Sequence, residues 1–472
     1  MFRDRKLVWI LVLTSIPFFM VALDNLVVVT ALPTIHRELG ASLATLEWTV
    51  NAYTLAFAAG IITAAALGDR LGRRRVFVTG LGLFTAASAT CALAPTGELL
   101  VAARTLQGVG AALVMPLSLT ILTAAFPAER RGAIVGLWGG IGGLAVASGP
   151  LIGGAVTQGL DWHWVFWVNV PIGLIATTLA LFRLPESRGP ATSLDPLGVL
   201  LSAGGATAVV YGLVRVSEAG LSSADALVLV AIGVVLVAVF IAWEGRAAAP
   251  MMPLRLFRSP TFSAAAATAF LQAGALFSAA FLGSQFFQIA LRYSPFETGL
   301  RFLPWTLTPI FIAPVAGALS DRIGRRRVLA TGMALQGIGL AWIARLSTLD
   351  VDYLTLVMPF IVAGVGVSMA IPTSSTAMLS AVAPGDIGKA AGINSTAQRF
   401  GSAFAIAAAS AIFAANGSLS SPASFVAGFG PAFTFSALLS FAGAATALAV
   451  TTRVIGRLPA PAAAAAPSRQ PT

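Results

Sequence analysis

Long apolar stretches alternate with short polar connections along nearly the whole chain. About 20 consecutive apolar residues are enough for a helix to cross a bilayer. On that measure fourteen stretches predict spanning helices, over residues 7–32, 46–68, 76–94, 99–126, 133–157, 164–183, 195–215, 224–243, 261–290, 298–319, 328–345, 353–382, 388–414 and 431–452. Strands of a membrane barrel would alternate apolar and polar side chains, and these stretches do not. The expected fold class is therefore an all-α polytopic membrane protein. The first stretch is too long for a signal-peptide core and lacks a small-residue cleavage site, so it counts as a spanning helix.

Composition supports this class and excludes others. Of 472 residues, 57% are hydrophobic and 10% charged, with a mean hydropathy of +0.88; a soluble domain carries about 25% charged residues. The net charge of +11 could suit nucleic acid, but the basic residues collect in the connections, where they set membrane topology. Outer loops hold only Arg37, Arg215, Arg292 and Arg345, and three arginines lie within apolar stretches: Arg104, Arg301 and Arg399. The remaining basic residues place both termini on the cytoplasmic side. Only Lys6 and Lys389 are lysine, a bias that fits a GC-rich bacterial genome. The single cysteine, Cys91, permits no intrachain disulfide, and two histidines, His36 and His163, are poor material for a metal site. No cofactor is expected.

One basic segment is written twice. Gly68-Asp-Arg-Leu-Gly-Arg-Arg-Arg-Val-Phe-Val-Thr-Gly80 returns as Ser320-Asp-Arg-Ile-Gly-Arg-Arg-Arg-Val-Leu-Ala-Thr-Gly332. The copies follow the second and tenth helices. Two six-helix halves would place them six helices apart, so a pair, helices 7 and 8, is inserted between two repeats. The expected organisation is a first bundle over 1–186, the insert with its linkers over 187–256, a second bundle over 257–457 and a disordered tail over 458–472. In each copy the glycine (Gly72, Gly324) allows a tight turn, the arginines (Arg70, Arg73, Arg322, Arg325) serve topology, and the aspartate (Asp69, Asp321) can meet a helix N-terminus. On this reading Asp69 contacts the start of helix 13 near Gly388, and Asp321 the start of helix 5 near Arg131, latching the two bundles.

Polar residues within the spans carry the chemistry. Asp24 sits deep in helix 1; a carboxylate there is costly and usually faces the bundle interior or a wet cavity. Arg104, on helix 4 with Gln107 one turn away, is its candidate partner, and a fixed structural ion pair is the competing reading. Glu47, Asn51 and Thr54 make one polar stripe on helix 2. Glu47 is near the outer boundary, where hydration is the simpler reading. Asn394, Gln398 and Gly401 repeat that spacing on helix 13, beside Arg399. Helix 5 carries a dense ladder of small residues from Gly139 to Gly154, and Pro150 offers a pivot.

In this order, these motifs resemble the major facilitator superfamily, in its branch of fourteen-helix drug:proton antiporters, over nearly the whole chain. Gly68-Asp-Arg-Leu-Gly-Arg-Arg is similar to its cytoplasmic loop signature, and Leu23-Asp-Asn-Leu-Val-Val-Val-Thr-Ala-Leu-Pro33 to its helix-1 motif. Arg104-Thr-Leu-Gln-Gly resembles the helix-4 motif linked to proton transfer, and Gly149-Pro-Leu-Ile-Gly-Gly154 the helix-5 motif of exporters. Trp162-His-Trp-Val-Phe-Trp-Val-Asn-Val-Pro-Ile-Gly173 resembles the entry to helix 6, with His163 where the family more often has arginine or glutamine. The second loop copy departs from the signature at Ser320.

The resemblance implies alternating access of two six-helix bundles about a central cavity. Proton entry at Asp24, with Arg104, would drive export of a hydrophobic or amphipathic small molecule. Asn25, Glu47, Asn51, Gln107, Gln272, Trp305, Asn394, Gln398 and Arg399 are the expected cavity residues. Gly68, Asp69, Arg70, Gly72, Arg73, Gly149, Pro150, Gly153, Gly154, Asp321, Arg322, Gly324 and Arg325 are the expected conformational ones. Expected partners are the substrate, protons and membrane lipid, with no nucleic acid, for a monomer in the bacterial cell membrane. A proton-coupled importer and a non-transporting scaffold stay as alternatives; the helix-5 ladder argues against the first, and Asp24 with Arg104 against the second. No cluster of His, Cys or paired carboxylates suggests an enzyme.

Overall fold

The computed structural model describes residues 5–189, 194–220, 223–383 and 386–451, apart from the side chains of 128–133, 136, 146 and 321. The expected tail over 458–472, the Asp321 side chain and its expected partner near Arg131 lie outside the described residues. Among the described residues all regular structure is helical, and fourteen helices are long and apolar enough to cross a membrane. They are α1 (Arg5–Leu39), α2 (Leu43–Leu71), α3 (Arg73–Ala92), α4 (Gly97–Ala125), α5 (Ala128–Gly159), α6 (Trp164–Arg183), α7 (Pro196–Ala219), α8 (Ala224–Glu244), α9 (Pro260–Gln285), α10 (Leu303–Thr306 with Thr308–Ile323), α11 (Arg325–Leu346), α12 (Tyr353–Ser380), α13 (Ile387–Asn416) and α14 (Pro422–Ala447).

Local chemistry sets most boundaries. Ser42, Thr96, Ser223, Ser259 and Ser421 cap helix starts, each accepting a backbone N–H three residues on, which satisfies one of the donors left free there. The last helix corrects the expectation of 431–452. It starts at the cap Ser421 with Pro422 in its first turn and runs on through Pro431. The tenth is also broken differently from the expected 298–319. A short helix over Pro295–Arg301, started by a capping box between Ser294 and Glu297, precedes α10, and α10 is interrupted at Leu307 between Pro304 and Pro309, running on through Pro314.

The packing repeats with the sequence. In the first half α1 packs on α5, α2 on α4, α3 on α4 and α3 on α6; in the second, α9 packs on α13, α10 on α12, α11 on α12 and α11 on α14. Each pairing recurs eight helices later. The duplicated loop is the visible joint: Gly72 (φ +114°) and Gly324 (φ +90°) end α2 and α10 and start α3 and α11. A side chain is strained at such positive φ, so the glycine is retained in both copies. The inserted helices α7 and α8 pack on each other, and α7 also packs on α2 and α13, across the meeting line of the halves. α8 is largely exposed.

Candidate functional site

Two charged residues in apolar helices face each other at the centre of the first bundle. Asp24 of α1 and Arg104 of α4 are 2% and 1% exposed. Arg104 Nη1 donates to Asp24 Oδ2 at 2.5 Å and to Gln107 Oε1 at 2.6 Å, and its Nε donates to the Thr49 carbonyl at 3.0 Å. The other carboxylate oxygen, Asp24 Oδ1, accepts from Gln107 Nε2 at 3.0 Å and from Asn169 Nδ2 at 3.1 Å. Both amides also donate to Ser88 Oγ, each at 3.0 Å. Tyr53 lays its ring 4.1 Å from the guanidinium carbon. Such a pair avoids the cost of a lone buried charge because both carboxylate oxygens, and Nη1 and Nε of the arginine, have partners.

Of the residues singled out from the sequence, this network gathers Asp24, Arg104 and Gln107. It also takes in three that the sequence reading passed over: Asn169 at the start of the main segment of α6, Ser88 on α3 and Tyr53 on α2. Asn169 stands inside the quoted helix-6 entry motif, and a polar residue in that apolar run was the available signal. Asn25 is buried but takes no part. Among the described residues Asn51, on α2, is completely buried with neither amide atom paired, and Gln272 Nε2 and Trp305 Nε1 are likewise buried without partners. Asn394 Nδ2 donates to Ser375 Oγ at 3.1 Å, while Arg399, one turn further on, sets its guanidinium 4.2 Å from the Phe57 ring, joining α13 to α2. Gln398 is partly buried.

Comparison with known families decides what kind of protein this is: the Major Facilitator Superfamily model matches residues 14–405 and 265–470. The chain belongs to the Major Facilitator Superfamily. It is a multi-pass membrane transporter with the fold of that superfamily. An uncharacterized MFS-type transporter of Mycobacterium tuberculosis, Rv1250, is 36% identical over 74% of this chain and 60% of its own length. The tetracenomycin C resistance and export protein of Streptomyces glaucescens is 34% identical over 83% of this chain and 73% of its own. A solved POT-family transporter in complex with a thioalcohol-conjugated peptide superposes with a TM-score of 0.70 at 15% identity, covering 93% of this chain and 95% of that one; it shows the fold alone.

Within that fold the glycines of α5 meet two neighbours at one end. A β carbon at Gly149 or Gly153 would strike α1 at Leu26 or at Val27 and Thr30, and one at Gly154 would strike the carbonyl of Pro295. Gly299 of the short helix fits against Pro150 and Leu151. Phe296 N–H donates to Gln158 Oε1 at 3.1 Å, and Gln288 Nε2 of the π turn after α9 donates to the Thr30 carbonyl at 2.9 Å. At this end, opposite the basic loops, α1 and α5 of the first half meet the short helix and the π turn of the second.

At the basic end the expected Asp69 latch is not made. Asp69 accepts from Arg73 Nε at 2.8 Å, while a β carbon at Gly388 would touch nothing within 4 Å. A strap following α6 occupies the loop instead. Gly189 N–H donates to the Asp69 carbonyl, Arg73 N–H to the Ser187 carbonyl at 2.9 Å and Arg74 N–H to Glu186 Oε1 at 3.0 Å. Arg70 and Arg322 are exposed, and Arg325 Nη1 donates to Ser380 Oγ. Gly68 packs against Leu117.

Glu47 also differs from expectation. It is 0% exposed, in the seam between α2, α7 and α13 rather than in water, because the inserted helix covers it.

Proposed function

We propose that this transporter exports hydrophobic or amphipathic small molecules in exchange for protons, by alternating access. The export sense is supported by the name of the Streptomyces glaucescens relative and by the fit of the α5 glycines against α1 and the short helix. The observation that carries the coupling is the Asp24–Arg104 pair: a fully buried ion pair holds α1 to α4, and α1 is the helix onto which Gly149 and Gly153 close. A proton arriving at Asp24 removes the charge that Arg104 is paired to, and the attraction between α1 and α4 weakens. The closure of α5 on α1 is then free to rearrange. Arginine cannot itself give up the proton, so the carboxyl is the carrier.

On this reading the basic end is cytoplasmic, which the arginine distribution supports, and the contacts of α5 with α1 and the short helix close the opposite end. The boundaries proposed for the two bundles and the insert remain 1–186, 187–256 and 257–457. Asn25, Asn51, Gln107, Gln272, Trp305, Asn394, Gln398 and Arg399 are proposed to line the path; the unpaired polar atoms of Asn51, Gln272, Trp305 and Asn394 suit ligands or water. The test is efflux from proteoliposomes driven by a pH gradient. Asp24→Asn should insert and fold but lose gradient-driven efflux, and normal efflux by that variant would overturn the assignment.

A further inference from the structure

Asp24 is not the only carboxyl buried among these helices, and the second lacks what the first has. Glu47 is completely buried, yet it takes part in no ion pair among the described residues. Its Oε1 lies 3.3 Å from Ser217 Oγ of α7, and Ser217 directs its hydroxyl to the Val214 carbonyl at 2.6 Å. A hydroxyl has one hydrogen. Ser217 Oγ is placed to donate to either acceptor, and with its one hydrogen on the nearer Val214 carbonyl an ionised Glu47 is left without that donor. Among the described residues Glu47 Oε2 and both amide atoms of Asn51, one turn along α2, have no partner, and the Ser410 hydroxyl of α13 faces the carboxyl.

The charges among the surrounding described residues supply no counter-ion. From α7 the nearest are Glu218, of like sign, and Arg215, which is bonded to Glu218 at 3.0 Å and partly exposed. Asp225 at the start of α8 is a further acid. α13 presents Ser410, and its nearest charge, Arg399, is eleven residues away over Phe57. On α2 the neighbours are Asn51 and Trp48, whose ring meets Tyr211 of α7 at 5.6 Å. Ala44, Leu55, Val210, Val214, Ala403 and Ala407 make the rest of this seam an apolar core. A carboxylate enclosed this way without a cation is so costly that the group takes up a proton instead.

We propose that Glu47 is a second proton-binding site, separate from Asp24 and created by the inserted helix. The site holds its proton while α2, α7 and α13 are packed as described. α2 belongs to the first half and α13 to the second, so any movement of one half against the other parts this seam and admits water. The carboxyl O–H bond then breaks, the proton passes to that water and the carboxylate is left hydrated. The inference rests on the alternating-access reading, since it needs the seam to open.

Infrared spectroscopy of the purified full-length transporter tests it without relying on transport. At neutral pH a protonated-carboxyl carbonyl band is expected, present in Asp24→Asn and lost in Glu47→Gln. Ser217→Ala and Ser410→Ala should shift that band without removing it, which guards against a Glu47 variant that fails to fold. A band unaffected by any Glu47 variant, or a Glu47 signal that is already ionised, overturns the proposal. In proteoliposomes Glu47→Gln should lose part of the proton movement that accompanies each substrate, and unchanged proton movement also overturns it. Failure of all gradient-driven efflux in the wild type, with the band still following Glu47, would reject the antiport reading and leave the site standing.

Discussion

Asn169 and Asp24 are 145 positions apart in sequence and 3.1 Å apart in space. That hydrogen bond brings α6 into the ion pair of α1 and α4, and Ser88, bonded to the same amide, brings in α3. The charge on Asp24 is thus sensed by four helices of one bundle. A hydrogen bond to a charged group is worth about 1.5–3 kcal/mol. Asn169→Leu should therefore lower thermal stability by about that amount and reduce gradient-driven efflux, while Asn169→Gln restores part of both. Stability of Asn169→Leu equal to wild type in a detergent melting assay would show that the amide does not support Asp24.

Removing Arg104 should be more damaging than removing Asp24. Arg104→Leu leaves Asp24 buried without its cation, and breaking one side of a buried pair costs about 3–5 kcal/mol. Asp24→Asn leaves an arginine that still donates to Gln107 and to the Thr49 carbonyl and lies on the Tyr53 ring. Combining Asp24→Asn with Arg104→Leu should regain stability relative to Arg104→Leu alone, with efflux still absent. Additive losses in the melting temperatures of the double variant would mean that the two side chains do not act as a pair.

What the sequence disclosed depended on whether a feature is local. Fourteen spans were readable because crossing a bilayer requires a long apolar run wherever it occurs, and Asp24 and Arg104 stood out because charges inside such runs are rare. Gly72 and Gly324 were readable as turns because their backbone conformation is a local demand. Asn169 was missed because one neutral amide near a helix start is unremarkable until Asp24 and Ser88 are beside it. Glu47 was read as hydrated because its distance from the chain's polar connections is short, and nothing in α2 announces that α7 folds over it. The contacts that hold the Asp69 loop in this conformation were not legible for a similar reason: Glu186 and Gly189 belong to a connection with no apolar pattern to interpret.

The bidentate pair between Arg255 and Asp386 should make stability depend on acid pH. Arg255 Nη1 and Nη2 donate to the two carboxylate oxygens at 2.8 and 2.6 Å, tying the segment before α9 to the start of α13. That hydrogen bonding holds the Asp386 carboxyl below the usual aspartate value. A depressed value in the folded state means the stabilisation is present above the ordinary aspartate range and disappears as pH falls through the depressed value. Wild type should therefore melt higher than Asp386→Asn near neutral pH, and the two curves should converge in strong acid. A constant difference at all pH values would assign the loss to packing instead of charge. Added salt should narrow the neutral-pH gap, since the arginine side chain is 60% exposed.

Gly154 provides the sharpest test of how the closed end is built. A β carbon at this position would overlap the Pro295 carbonyl and approach the Phe296 Cα. Both are backbone atoms on a short capped helix, so they cannot swing aside as a flexible side chain would. Gly154→Val should consequently prevent the short helix from seating on α5, while α5 itself, helical here and amply packed on α1, still forms. Phe296 N–H would lose Gln158 Oε1 as its acceptor, and the closed arrangement would be disfavoured relative to one open at that end. A cysteine placed at the buried Thr157, in a chain whose Cys91 has been replaced, should then react faster with a membrane-impermeant thiol reagent from the side opposite the basic loops. Gly159→Val serves as the control, because a β carbon there would meet nothing within 4 Å. Equal labelling of the two valine variants would mean that the glycines of α5 are not what sets the closure.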